Sequence, residues 1–354
     1  MTGKFNRRDV LKAGTALAAT GLFAEPLRAA APPAEAVTPA LIEAAKKEGK
    51  VVHYTSVDLP LAEKVAKAFE AKYPGIAVRV ERTGAERIFT RIGQEQQSRI
   101  YACDVVQSSD AAHFVVWKRD GLLLPYVPED VAQHYPAEHK DADGLFASYR
   151  VYLCIMARNT DLVKPEDAPK GFRDLLDPKW AGKIVKAHPG YSGTILTATF
   201  QTARDVGWDY YEKLAKQRIM QLQSASDPPK KLALGERAIM ADGIEYGIFQ
   251  LKETGKPVDP IYAVEGSPMI IGPNGILKSA PNPNAAKLLQ NFMLSAECQQ
   301  FNVEFGGLRS AHKLVKDKPG RKPLSEIKVM KDDAAAVERD SEQIKVRYTQ
   351  YFKV

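Results

Sequence analysis

What constrains this chain most is an alternation of short apolar runs with amphipathic stretches, met twice along its length. Residues 38–49 predict a helix, with the Thr38 hydroxyl able to cap its start and Gly49 to stop it. Val51-Val52-His53-Tyr54 then predicts a buried strand, broken at Thr55-Ser56-Val57-Asp58. Residues 61–73 place Leu61, Val65, Ala68 and Phe69 on one helical face before Pro74-Gly75 ends the run. Residues 76–80 alternate as a strand, 86–97 are helical, and 103–106 form another short apolar strand. This β-α-β-α-β order belongs to an open α/β sheet. It returns further on as strands at 182–186, 219–223 and 238–240, with helices at 194–206, 246–254 and 284–304. Between the two units, the apolar run 151–157 suits a strand crossing from one to the other, and 268–273 suits the return.

The N-terminus adds a destination. Asn6-Arg7-Arg8-Asp9-Val10-Leu11-Lys12 is a twin-arginine stretch, and an uncharged, mostly apolar run, 13–24, follows it. Small-residue sites at Ala29-Ala30-Ala31 and Ala34-Glu35-Ala36 come next, so residues 1–36 are expected to hold a cleaved export signal. The apolar run is too short to span a bilayer, which needs about 20 residues. The expected location is the periplasm. Through Ala31 the leader holds five basic residues and two acidic ones, so the chain's +7 falls to +4 beyond it. That balance does not suggest nucleic acid, which calls for a concentrated basic face. Three widely spaced cysteines, Cys103, Cys154 and Cys298, make no disulfide framework and read as buried small hydrophobes.

In open α/β sheets, ligands bind where strand ends run into helix starts. Six such places here are rich in hydroxyl, amide and carboxylate groups. They supply Thr55, Ser56 and Asp58; Thr83, Gly84 and Glu86; Ser108 and Ser109; Ser192, Gly193 and Thr194; Ser226; and Asp242 with Tyr246 as ligand-binding candidates. Ser192-Gly193-Thr194 is the sharpest. Gly193 lets a backbone N–H approach a ligand, and a helix start favours an anion. Ser192 can equally serve as the cap of that helix. A nucleophile elbow, H-E-x-x-H, a P-loop and G-x-G-x-x-G are all absent, which argues against an enzyme. His53, inside an apolar strand, reads as a hydrogen-bonded core histidine, and 313–322 as a solvated basic loop.

Several segments together resemble the periplasmic solute-binding proteins of ABC importers, in the cluster that includes ferric-iron binders. They are Val51-Val52-His53-Tyr54-Thr55-Ser56, Ala68-Phe69-Glu70-Ala71-Lys72-Tyr73-Pro74-Gly75-Ile76, Val264-Glu265-Gly266-Ser267-Pro268, Gly272-Pro273-Asn274-Gly275-Ile276 and Asn282-Pro283-Asn284-Ala285-Ala286-Lys287-Leu288. The resemblance implies a two-lobed, type II periplasmic-binding fold. Each lobe would be an open sheet flanked by helices, the two joined by crossing strands. Lobe 1 is expected over 37–150 and 264–354, lobe 2 over 151–263, with the ligand between them. It also implies a permease partner in the inner membrane, no resident cofactor and a monomer. Ferric binders of the cluster use an adjacent tyrosine pair where this chain has Glu245-Tyr246, so that signature is incomplete. If iron is carried, Tyr246, Asp58 and Glu95 are the expected ligands. A phosphorylated or carboxylated small molecule is the other expected cargo.

Overall fold

The computed structural model describes residues 31–354, so most of the leader expected at 1–36 lies outside the described residues. The chain begins with helix α1 (Pro39–Glu48), strand β1 (Lys50–Thr55), α2 (Leu59–Lys72), β2 (Ala77–Arg82), α3 (Ala85–Ser98), β3 (Val105–Gln107), α4 (Ala111–Arg119), α5 (Glu129–His134) and β4 (Ala147–Leu153). A second series follows: β5 (Met156–Asn159), β6 (Ile184–Ala187), α6 (Gly193–Asp205), α7 (Trp208–Leu214), β7 (Met220–Leu222), α8 (Asp227–Ala233), β8 (Ile239–Met240), α9 (Glu245–Glu253) and β9 (Val258–Ile261). The chain closes with β10 (Ser267–Ile276), α10 (Pro283–Leu294), α11 (Ala296–Glu304), β11 (Val329–Met330) and α12 (Ala334–Phe352).

Local chemistry explains the boundaries. The Thr38 hydroxyl accepts from Leu41 N at 3.2 Å, and Gly49 takes the left-handed φ of 70° that ends α1. The single helix expected over 284–304 is two, because Ser295 leaves helical geometry (ψ 154°) and its Oγ accepts from Cys298 N to start α11. A serine there offers the backbone a cap in place of a continuing turn.

Two sheets result. The first has the order β11-β10-β3-β1-β2, with β4 also on β10; the second runs β7-β6-β8-β5-β9. β1 pairs parallel with β2 and β3, whereas β10 runs antiparallel to β3 and β4. In the second sheet β6 pairs parallel with β7 and β8, and β5 runs antiparallel to β8 and β9. This is the expected α/β fold of two lobes. The chain leaves the first sheet at Cys154-Ile155 and returns through 262–266, and the outgoing crossing is tied to the start of β10, Cys154 N donating to Pro268 O at 2.9 Å. The run 268–273, expected as a return crossing, lies inside β10 and pairs with β4.

Each sheet has its own core. Val51, Phe69, Ile76 and Phe292 meet in the first, and Trp180, Ile184, Ile239 and Tyr210 in the second. All three cysteines are buried, as expected. His53 is buried too, but its Nε2 has no hydrogen-bond partner, against expectation; burial pushes its pKa down to about 3. The neutral ring is held by packing alone.

The C-terminal helix departs from the simple picture. α12 packs on α4 beside the first sheet and on α6 and α7 beside the second. Val337 and Ile344 bury themselves against Ala112 of α4 and Leu196 of α6. Tyr348 reaches into the second core, where its hydroxyl accepts from Lys186 Nζ at 2.8 Å and donates to Gln221 at 2.8 Å.

Candidate functional site

Between the lobes lies a cleft with about 160 Å³ of free volume, lined from both sheets. From the first come Ser56 after β1, Arg82 and Gly84 after β2, Arg87 on α3, Ser109 after β3, and Arg150 and Tyr152 on β4. From the second come Tyr191, Ser192, Thr194, Ser226 and Tyr246, with Gln223, Ser224 and Asp227 beside them. These are the ends of strands and starts of helices, where free backbone donors and side chains converge.

Of the candidates read from sequence, Ser56, Gly84, Ser109, Ser192, Thr194, Ser226 and Tyr246 come together here. Asp58 lies immediately beside them, accepting from the Ser226 hydroxyl at 2.8 Å. Burial pushes the Tyr246 phenol up, and the Asp58 charge pushes it the same way, so it stands as a neutral donor. The Thr194 and Tyr152 hydroxyls bond at 2.7 Å, which fixes both at the cleft wall. Ser192 caps α6 through Ile195 N and lines the cleft as well.

Six candidates are placed elsewhere. Thr55 turns beneath the surface to Gln107 Oε1, 3.1 Å away. Thr83 does not line the cleft; its N–H continues the ladder to Thr55 O. Ser108 bonds His113 Nδ1 at 2.9 Å, behind the wall. Glu86 faces His113 and Lys345 instead of the cleft. Asp242 is buried, pairing with Lys186 Nζ at 3.1 Å and accepting from Ala187 N. Glu95, expected as an iron ligand, accepts from Tyr54 OH and Arg91 Nε, each at 2.8 Å, on the far side of β1. Gly193 plays a part other than the one expected. A Cβ there would sit 2.6 Å from the Asp110 Cβ and 3.2 Å from that of Ala85, so its bareness lets the lobes meet. Glu245, in the tyrosine-pair position, is turned away, held by Arg309 at 2.9 Å, Arg321 at 2.7 Å and Tyr262. Arg321 is therefore buried, although 313–322 was expected to be solvated.

The residues missed are the cations. Arg150 is 2% exposed and is the middle residue of a strand buried throughout. One guanidinium nitrogen donates to Ser56 Oγ at 3.1 Å, its Nε has no hydrogen-bond partner, and its plane lies 5.0 Å from the Tyr152 ring. No carboxylate of the described residues lies within ion-pair distance of it. Arg82 stands at the rim, 3.9 Å from Asp58, with Arg87 nearby. The available signal was a charged residue inside an apolar strand run.

Comparisons agree with this architecture. Residues 104–328 match the family described as bacterial extracellular solute-binding protein. A probable ABC transporter periplasmic-binding protein, y4fP, of Sinorhizobium fredii is 23% identical over 249 residues, 68% of each chain. The periplasmic binding protein AfuA from Actinobacillus pleuropneumoniae, solved with fructose-6-phosphate, is similar at a TM-score of 0.80 and 25% identity, over 87% of this chain and 99% of that one. Iron-bound HitA from Pseudomonas aeruginosa is similar at a TM-score of 0.75 and 22% identity, over 85% and 99%. These are binding proteins and not enzymes, in keeping with the missing catalytic motifs. The chain belongs to the bacterial extracellular solute-binding proteins, the periplasmic binding components of ABC transporters.

Proposed function

We propose that the cleft captures a small solute through an oxyanion, a phosphoryl or carboxylate group, for delivery to an ABC permease. The observation that carries this is Arg150. A buried guanidinium without a carboxylate partner is costly, and a ligand anion is the natural counter-charge. The Ser56, Ser109, Ser192 and Thr194 hydroxyls, at the start of α6 and on the loops facing it, add donors around the same space. AfuA, with its sugar phosphate, supports this cargo class. The ferric reading keeps Tyr246 and Asp58, and HitA supports it at the level of fold. It loses Glu95, and a trivalent cation would face Arg150 and Arg82.

Native mass spectrometry of the purified chain, with thermal shifts against fructose-6-phosphate and other sugar phosphates, tests the reading. Arg150→Met should keep the fold and lose ligand-induced stabilisation, a drop of at least about 100-fold in affinity for a charge-paired anion. Undiminished stabilisation in that variant overturns the anion site. A visible phenolate-to-iron band on adding ferric ion, abolished in Tyr246→Phe, would favour iron instead.

Export by the twin-arginine route rests on the leader sequence, with the chain acting as a monomer between the membranes. Glu35 N donates to Val127 O at 2.9 Å and its carboxylate meets Lys287 at 3.1 Å, which favours cleavage after Ala31 over cleavage after Ala36. Replacing Arg7 and Arg8 by lysine should retain the precursor in the cytoplasm; unchanged periplasmic yield counts against the route.

A further inference from the structure

Behind the cleft wall, under α12, three donor side chains converge. Glu86 stands in the first turn of α3, Asp110 caps α4, and His113 follows one turn later. One ligand atom of each lies within 4.8 Å of the other two. His113 Nε2 is 3.2 Å from Glu86 Oε1 and 3.8 Å from Asp110 Oδ2. Both oxygens are buried without a hydrogen-bond donor, and Asp110 is only 1% exposed.

The other atom of each group is engaged. His113 Nδ1 meets Ser108 Oγ at 2.9 Å, Asp110 Oδ1 accepts from Ala112 N at 2.9 Å, and Glu86 Oε2 accepts from Lys345 Nζ at 3.0 Å. Each side chain is thus oriented from behind and presents one lone pair to a shared point. That is how outer partners set metal ligands, with the second imidazole nitrogen fixed by a hydrogen bond.

We propose that Glu86, Asp110 and His113 form a site for a divalent transition-metal ion, separate from the solute cleft. One imidazole and two carboxylates are a mixed donor set that suits Zn²⁺, with room for a fourth, non-protein ligand. Ligand atoms of a zinc tetrahedron sit about 3.3 Å apart for bonds of about 2.0 Å, so the three atoms need to close by at most about 1.5 Å. Two carboxylates, one imidazole nitrogen and the Lys345 ammonium meet in a buried place, and a metal ion would sit among the three ligand atoms. Ser109, the neighbour of Asp110, lines the cleft, so an ion here stiffens the turn that forms its wall. The site stands whether or not the cleft takes an anion.

Calorimetry of the chelator-stripped protein with ZnCl₂ alone tests it, with Co²⁺ as the spectroscopic substitute. One equivalent should bind, and His113→Gln and Asp110→Asn should each weaken it by about 100-fold or more. Tyr246→Phe, in the solute cleft, should leave it unchanged. Absence of stoichiometric binding, binding that survives His113→Gln, or loss in Tyr246→Phe overturns the proposal. If the variants do not fold, anomalous scattering at the zinc edge from wild-type crystals decides. A peak among the three side chains supports the site, and a peak elsewhere or none overturns it.

Discussion

The candidate residues were read in adjacent pairs, and the structure separates the pairs. Thr55 and Ser56 both donate to Gln107 Oε1 at 3.1 Å, yet only Ser56 also lines the cleft; Ser108 turns to His113 while Ser109 lines it. Successive side chains of extended backbone point to opposite faces, so a loop at the right place supplies only part of its residues. Composition locates the loops but not the phase of that alternation. Arg150 escaped for another reason: it sits on a strand, and the reading confined ligand contacts to loops. His53 gives a prediction at this scale. Its folded pKa of about 3 lies below the ordinary 6.5, so between these values the unfolded chain takes a proton that the native ring refuses. Stability should therefore fall as pH drops below about 6.5, by up to a few kcal/mol near pH 4. Urea unfolding across that range should show the loss shrinking in His53→Leu. An unchanged slope would place the acid sensitivity in other groups.

Among the elements, the alternating strands and helices of both units were legible because period and punctuation agree there. Thr38 and Gly49 bound α1 as read, and Pro74-Gly75 falls just beyond α2. The break at Ser295 was not legible, since a polar residue within an apolar helical run is ordinary until its side chain caps the next turn. α12 was missed outright. Its packing stripe, Ala336, Val337, Ile344 and Tyr348, is sparse and set among charges, and its purpose appears only when both lobes are in place. Tyr348 makes the test. Lys186 is wholly buried and relies on Tyr348 OH, Asp242 and Ala187 O. Tyr348→Phe keeps the ring and removes that acceptor, which should cost about 1–3 kcal/mol in denaturant unfolding. A loss below a few tenths of a kcal/mol would mean that water takes the hydroxyl's place.

At the scale of the whole molecule, two α/β units in series foretold two sheets, and the run 151–157 holds the end of β4, the crossing at Cys154-Ile155 and the start of β5. What the sequence could not display is how the lobes touch: Gly193 against Asp110 and Ala85, Ser226 on Asp58, and α12 across both. Such contacts join residues far apart in the chain and leave no local period. The seat of α12 has a thermodynamic meaning. Were the lobes to part, a helix packed on α4 and on α6 would keep only one of the two partners of its apolar stripe, so this packing would oppose parting before any solute arrives. Apparent affinity scales with the fraction of molecules already competent to bind. Val337→Ala or Ile344→Ala, outside the cleft, is thus expected to raise the solute concentration needed for half-saturation, and an unchanged titration would remove α12 from the setting of affinity.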